Sequence, residues 1–192
     1  MSGAQLGGIG AIAGALLGGG GGAMRGAAGG GAMAILGTLA LAALKNARAG
    51  GQTAPAAQFA AGAAPLQADV AAVASEEGER LALRAMIAAA KADGQIDQAE
   101  MDRILGHLQA DEVTEAERRF VLDEIRKPLD PADLAKDVRN PAQAAEVYAA
   151  SLLAIDVDSE VEREYLRNLS RALRLDPGVV AFLHQTTGAP RA

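Results

Sequence analysis

Residues 1–68 contain no acidic side chain and only three charges, Arg25, Lys45 and Arg48. Within this leader, glycine recurs at every fourth position: Gly10, Gly14, Gly18, Gly22, Gly26 and Gly30. Glycine offers no side chain to bury and loses the most backbone entropy on ordering. With 17 of the 23 glycines falling in residues 1–51, this part cannot build a conventional core by itself. The rest of the 192-residue chain therefore has to supply one globular domain of about 115–125 residues, a size that buries a real core.

Two stretches of the leader are long enough to cross a hydrocarbon layer of ~30 Å as helices: residues 3–24 and residues 26–44. The second is the more apolar and is closed by Lys45 and Arg48, as a span with its basic end in the cytoplasm would be. Glycines four apart form a stripe along which two helices can bring their backbones close. In water the same residues weaken a helix, each costing ~1 kcal/mol relative to alanine. The sequence thus predicts contact with membrane lipid through residues 26–44, or self-association through the glycine ladder. The competing reading is a flexible glycine-rich tail. Residues 49–68, small, uncharged and interrupted by Pro55 and Pro65, read as a linker.

Charge is divided between the two parts. The leader carries +3, and residues 69–192 carry 15 basic and 24 acidic side chains, or −9. That excess repels phosphate backbones, so nucleic acid is not an expected partner. The chain has no cysteine, which excludes disulfides, thiolate chemistry and cysteine-based zinc sites.

From residue 69 onward the pattern is helical, and the helix starts are written in capping chemistry. Asp97-Gln-Ala-Glu100, Thr114-Glu-Ala-Glu117 and Ser159-Glu-Val-Glu162 are capping boxes. Asp130-Pro131, Asn140-Pro141 and Asp176-Pro177 each place an N-cap before a proline at the first helical position. A further helix is predicted over roughly 76–92. Apolar residues recur with the helical period, as in Met101, Ile104, Leu105 and Leu108. Val147, Tyr148, Ser151, Leu152 and Ile155 form another such face, and Val161, Tyr165, Leu169 and Leu173 a third. The expected fold class is all-α: a compact bundle of about seven short helices over residues 69–192, preceded by the glycine-rich segment 1–48.

Residues 85–100 (AMIAAAKADGQIDQAE), residues 148–158 (YAASLLAIDVD) and the run Glu162-Arg-Glu-Tyr-Leu166 resemble the TerB-like family of tellurite-resistance proteins. The likeness is to a branch that includes an uncharacterised bacterial inner-membrane protein. It is clear over residues 81–173 and loose over the leader. The resemblance implies an all-helical domain built on two acidic helix–turn–helix units and a stress-related role near membranes, in a branch for which no enzymatic activity is established; if residues 26–44 span the inner membrane, Lys45 and Arg48 put the domain in the cytoplasm. It also implies divalent-cation binding at the acidic turns, by Asp93, Asp97 and Glu100 in the first unit and Asp156, Asp158 and Glu162 in the second.

Clustered carboxylates suit a hard cation that takes six to eight oxygens. The spacing here is not that of an EF-hand: Gln95 follows Gly94, and Glu100 comes too early for the glutamate that closes such a loop. Capping already accounts for Asp97, Glu100, Ser159 and Glu162. His107 and His184 are isolated and lack metalloprotease spacing. The chain has neither a phosphate-cradling glycine motif nor a nucleophile elbow, and no catalytic residue is assigned. Arg118, Arg119, Arg126 and Lys127 read as a solvated helix face.

Two functional expectations follow. The first is a non-enzymatic, membrane-associated module that binds an unidentified protein partner. The second is a soluble, metal-sensing or ion-sequestering module with a self-associating tail.

Overall fold

The computed structural model describes Ala13 and residues 31–48, 66–92, 113–128 and 130–190. Among these residues every regular element is an α-helix. There are eight: α1 (Gly31–Arg48), α2 (Leu66–Val73), α3 (Glu76–Ala90), α4 (Glu115–Arg126), α5 (Pro131–Asp137), α6 (Pro141–Ala154), α7 (Glu160–Ala172) and α8 (Pro177–Thr187).

Local chemistry fixes the starts. Thr114 and Ser159 complete reciprocal capping boxes with Glu117 and Glu162. Asp130, Asn140 and Asp176 accept hydrogen bonds from Ala132, Gln143 and Gly178 N–H, each with proline opening the helix behind it. The helix expected after Asp97 lies outside the described residues. Helix α2 begins at Leu66, inside the stretch read as linker, and ends where Ser75 caps α3 through the Gly78 N–H at 3.0 Å. This junction requires glycine. A Cβ on Gly78 would stand 2.5 Å from the Ala72 carbonyl oxygen and 2.6 Å from that of Val73, backbone atoms that cannot yield.

Helix α6 is the centre of the bundle. It packs on α1, α2, α3, α7 and α8, most extensively on α3, and every residue from Ala142 to Leu152 is buried. A helix this poor in charge, with Glu146 alone in 14 residues, is stable only when enclosed on all sides. The expected single face, Val147, Tyr148, Ser151 and Leu152, is thus part of a fully buried cylinder.

Helix α1 differs from the expectation for residues 26–44. No helix among the described residues is long and apolar enough to cross a membrane. Instead α1 lies against α6 and α8, and Leu36, Ala40, Ala43 and Leu44 enter the same core as the other helices. The spacing of these four gives one continuous apolar stripe. Gly37 lets α1 approach α2 closely, its position being 2.7 Å from Val73 Cγ1 for any added Cβ. Ala13 of the leader is also helical and fully buried in this core.

Val161 departs from the face assigned to it and is 55% exposed. The buried stripe of α7 is Glu162, Tyr165, Leu166 and Leu169, continued by Leu173. Val161 lies about 100° around the helix from Glu162 and faces out.

Candidate functional site

Three groups of polar side chains stand out from the otherwise aliphatic interior. The first is the acidic turn before α7. Asp156 and Asp158 are exposed on either side of buried Val157, while Glu162 is buried. A single oxygen of Glu162, Oε2, accepts from Asp158 N–H at 3.1 Å, Ser159 N–H at 2.9 Å and the Ser159 hydroxyl at 2.8 Å. The carboxylate is thus committed to closing the turn. Among the described residues, no three His, Cys, Asp or Glu side chains are grouped to hold a metal ion. Asp93, Asp97 and Glu100 lie outside the described residues.

The second group is an ionic seam joining α3 to α4 and α5. Arg84, with 13% of its side chain exposed, meets Glu124 at 3.3 Å, Asp133 at 3.3 Å and Asp137. Lys91 donates to the carbonyl of Glu124 at 3.4 Å and to that of Lys127, and Lys127 pairs with Glu124. Burial alone lowers the Arg84 pKa, but the hydrogen bond to Asp137 and the charge of Glu124 more than offset it, and the guanidinium is held charged. Burial pulls the Lys91 ammonium down, and Glu124 opposes that. A small cavity of about 30 Å³ beside these residues has room for one water.

On the outer face of α4 the expected solvated charges form pairs along the helix: Arg118 and Arg119 with Glu115, and Arg126 with Asp123.

The third group runs through α6. Tyr148 Oη lies 2.8 Å from His184 Nε2 on α8, with the two rings tilted by 58°. Both residues are almost wholly buried. Burial pushes the Tyr148 phenol well above its ordinary value, and it stays protonated. The Ser151 hydroxyl donates to the Ala85 carbonyl at 3.3 Å and stands 3.5 Å from Tyr165 Oη. Tyr165 is pushed up to about 12 by burial, against the opposing effect of its contact with the Ser151 hydroxyl. Glu146 is 1% exposed, and its Oε1 has no partner. Burial, with the charge of Glu79 adding to it, raises the Glu146 carboxyl to about 9, so it is neutral at pH 7.

His184 also forms part of the wall of a cleft of about 380 Å³ between the end of α7 and α8. The Tyr148–His184 pair has no local sequence signature, because 36 residues separate its members. Glu146 does have one: it is the lone charge in an apolar helix.

The chain matches the pattern of "Protein of unknown function (DUF533)" from residue 1 to residue 187. It belongs to the DUF533 family. The match includes the glycine-rich leader as well as the bundle. The "Uncharacterized protein in ampR 5′ region" of Yersinia enterocolitica is 38% identical over 95 residues, which are 50% of this DUF533 chain and 68% of that protein. No solved structure matches the chain.

Proposed function

We propose that this DUF533 protein is a non-enzymatic interaction module held at the bacterial inner membrane by its glycine-rich leader, with the acidic bundle in the cytoplasm available to a protein partner. The reading rests on how the leader enters the bundle. Residues 1–30 carry a single charge, Arg25, and run directly into α1. The first turns of α1 expose Ala34, Ile35 and Thr38, while Ala40, Ala43 and Leu44 further along are buried. An apolar entrance on a bundle of net negative charge favours attachment through that end.

The family match from residue 1 supports treating leader and bundle as one functional unit. The TerB-like resemblance supports a stress-related role of the tellurite-resistance kind. A divalent cation enters this reading only with Asp93, Asp97 and Glu100 among its ligands, because Glu162 already serves as a cap.

Because α1 belongs to the core, the decisive deletion stops at residue 30. Full-length and Δ1–30 proteins are expressed, and membranes are washed with alkaline carbonate. The full chain is expected in the membrane pellet and Δ1–30 in the supernatant, the Δ1–30 bundle remaining helical by circular dichroism with a lower unfolding midpoint because Ala13 leaves the core. A full-length protein that stays in the supernatant overturns membrane attachment and favours the soluble ion-sequestering module.

A further inference from the structure

The cleft between α7 and α8 has a chemistry that the membrane reading does not use. Leu175, Pro177, Val180 and Ala181 give it apolar walls, and Ser170, Arg171, Arg174 and His184 complete it. Its volume of about 380 Å³ falls in the range of small-molecule sites. From these features we infer that the cleft binds a small organic anion, a carboxylate carried on a compact apolar body.

Three observations carry the inference. The first is the state of the cations. Arg163 and Arg167, earlier on α7, both pair with Glu160. Among the described residues, Arg171 meets only the neutral amide of Asn168, at 3.3 Å, and Arg174 makes no ion pair. Two guanidiniums without carboxylate partners thus stand at one cleft in a chain whose net charge is −6.

The second is the backbone of Arg174. Its φ is +52°, and it is the one non-glycine residue with positive φ among those described. The hydrogen bonds from Leu175 N–H to Ser170 O at 3.0 Å and from Arg174 N–H to Arg171 O at 3.1 Å define a Schellman ending, whose left-handed position usually holds glycine. Helix α8 ends on glycine, with Gly188 at φ +75°. In a chain with 23 glycines, placing arginine at the equivalent turn of α7 keeps a guanidinium at the cleft against a backbone preference.

The third is His184. The Tyr148 hydroxyl has one partner, His184 Nε2, so counting donors makes the hydroxyl the donor and leaves the imidazole proton on Nδ1. Nδ1 is buried and has no acceptor among the described residues. The ring forms part of the cleft wall, so a carboxylate held between the arginines lies beside this unsatisfied dipole while the apolar walls cover the ligand's body.

The inference is tested on the full-length protein by calorimetric titration with sodium octanoate, 1-octanol and inorganic phosphate, with the His184 ring signals followed by NMR. Octanoate is expected to bind once per chain with Kd at or below about 1 mM, a modest affinity for ten heavy atoms. It is also expected to shift the His184 signals. Arg174→Gly is expected to weaken octanoate binding at least about 5-fold while raising the Tm of the ligand-free protein by roughly 2–4 °C as backbone strain is relieved. Octanol and phosphate are each expected to bind at least about tenfold more weakly than octanoate, a difference of about 1.4 kcal/mol. Absence of saturable octanoate binding at 10-fold above that Kd overturns the inference. So does octanol binding as tightly as octanoate, phosphate binding as tightly as octanoate, or octanoate binding that Arg174→Gly leaves unchanged.

Discussion

Helices α1 and α6 look alike as sequence: both are rich in Ala and Leu and nearly free of charge through most of their length. The fold uses them differently. Helix α6 is enclosed on every side and carries Tyr148, Ser151 and Glu146 into the core. Helix α1 buries one stripe and leaves Ile35 37% exposed. Apolar composition alone therefore does not say whether a helix meets protein or lipid. The polar residues decide it, because a helix that carries a phenol, a hydroxyl and a carboxyl needs internal partners, which a bundle provides and a bilayer does not.

The sharpest way to break this comparison is to charge the stripe of α1. Leu36→Asp puts a carboxylate into a fully buried site and is expected to destabilise the protein by about 4–5 kcal/mol in urea unfolding. A loss below about 1 kcal/mol would mean that α1 is not part of the core in solution.

The next largest effect belongs to α6. Burial raises the folded Glu146 carboxyl to about 9, from an ordinary value of 4.5. Its folded state therefore holds a proton that the unfolded state releases between those values. Stability is greatest below about pH 4.5 and falls as pH rises toward 9, by roughly 2–4 kcal/mol between pH 5 and pH 8 from this residue. Glu79, raised mainly by burial and further by Glu76, acts in the same direction. Glu146→Gln is expected to flatten this part of the pH profile and to stabilise the protein at pH 8 but not at pH 4. Denaturation midpoints across that range measure it, and an unchanged slope contradicts the burial assigned to Glu146.

Tyr148→Phe removes the partner of a buried imidazole nitrogen and is expected to cost about 1–2 kcal/mol, read as a lower denaturation midpoint with unchanged slope. Smallest is Ile35→Asp on the exposed side of α1. Its stability is expected to change by no more than about 0.5 kcal/mol, while co-sedimentation with anionic vesicles falls if that end meets lipid.

What could be read from the sequence was the chemistry that acts within one turn. Ser159 and Glu162, Thr114 and Glu117, and the three proline-led caps announce helix starts because the groups that satisfy the first N–H donors lie next to them in sequence. The placement of α1 could not be read that way. Its Leu36, Ala40, Ala43 and Leu44 suit lipid and protein equally, and only the facing surfaces of α6 and α8 settle which one they meet. Helix α2 was hidden by its small residues beside Pro65, and Val161 by lying at the edge of its stripe. Of the site residues, Asp156, Asp158 and Glu162 were found as an acidic turn, and the structure gives Glu162 its capping role. Tyr148 was visible only as part of an apolar helix face and His184 only as an isolated histidine, since their contact depends on how α8 docks. Arg174 was hidden too, because nothing local marks a left-handed turn when glycine is absent from it.

Hydrogen exchange of the backbone amides in full-length protein tests most directly whether α1 is a wall of the bundle. Amides from Leu39 to Leu44 are expected to exchange on the timescale of those in α6, through the same global opening. Amides of α1 that exchange orders of magnitude faster than those of α6, at the rate of a detached helix, would contradict it.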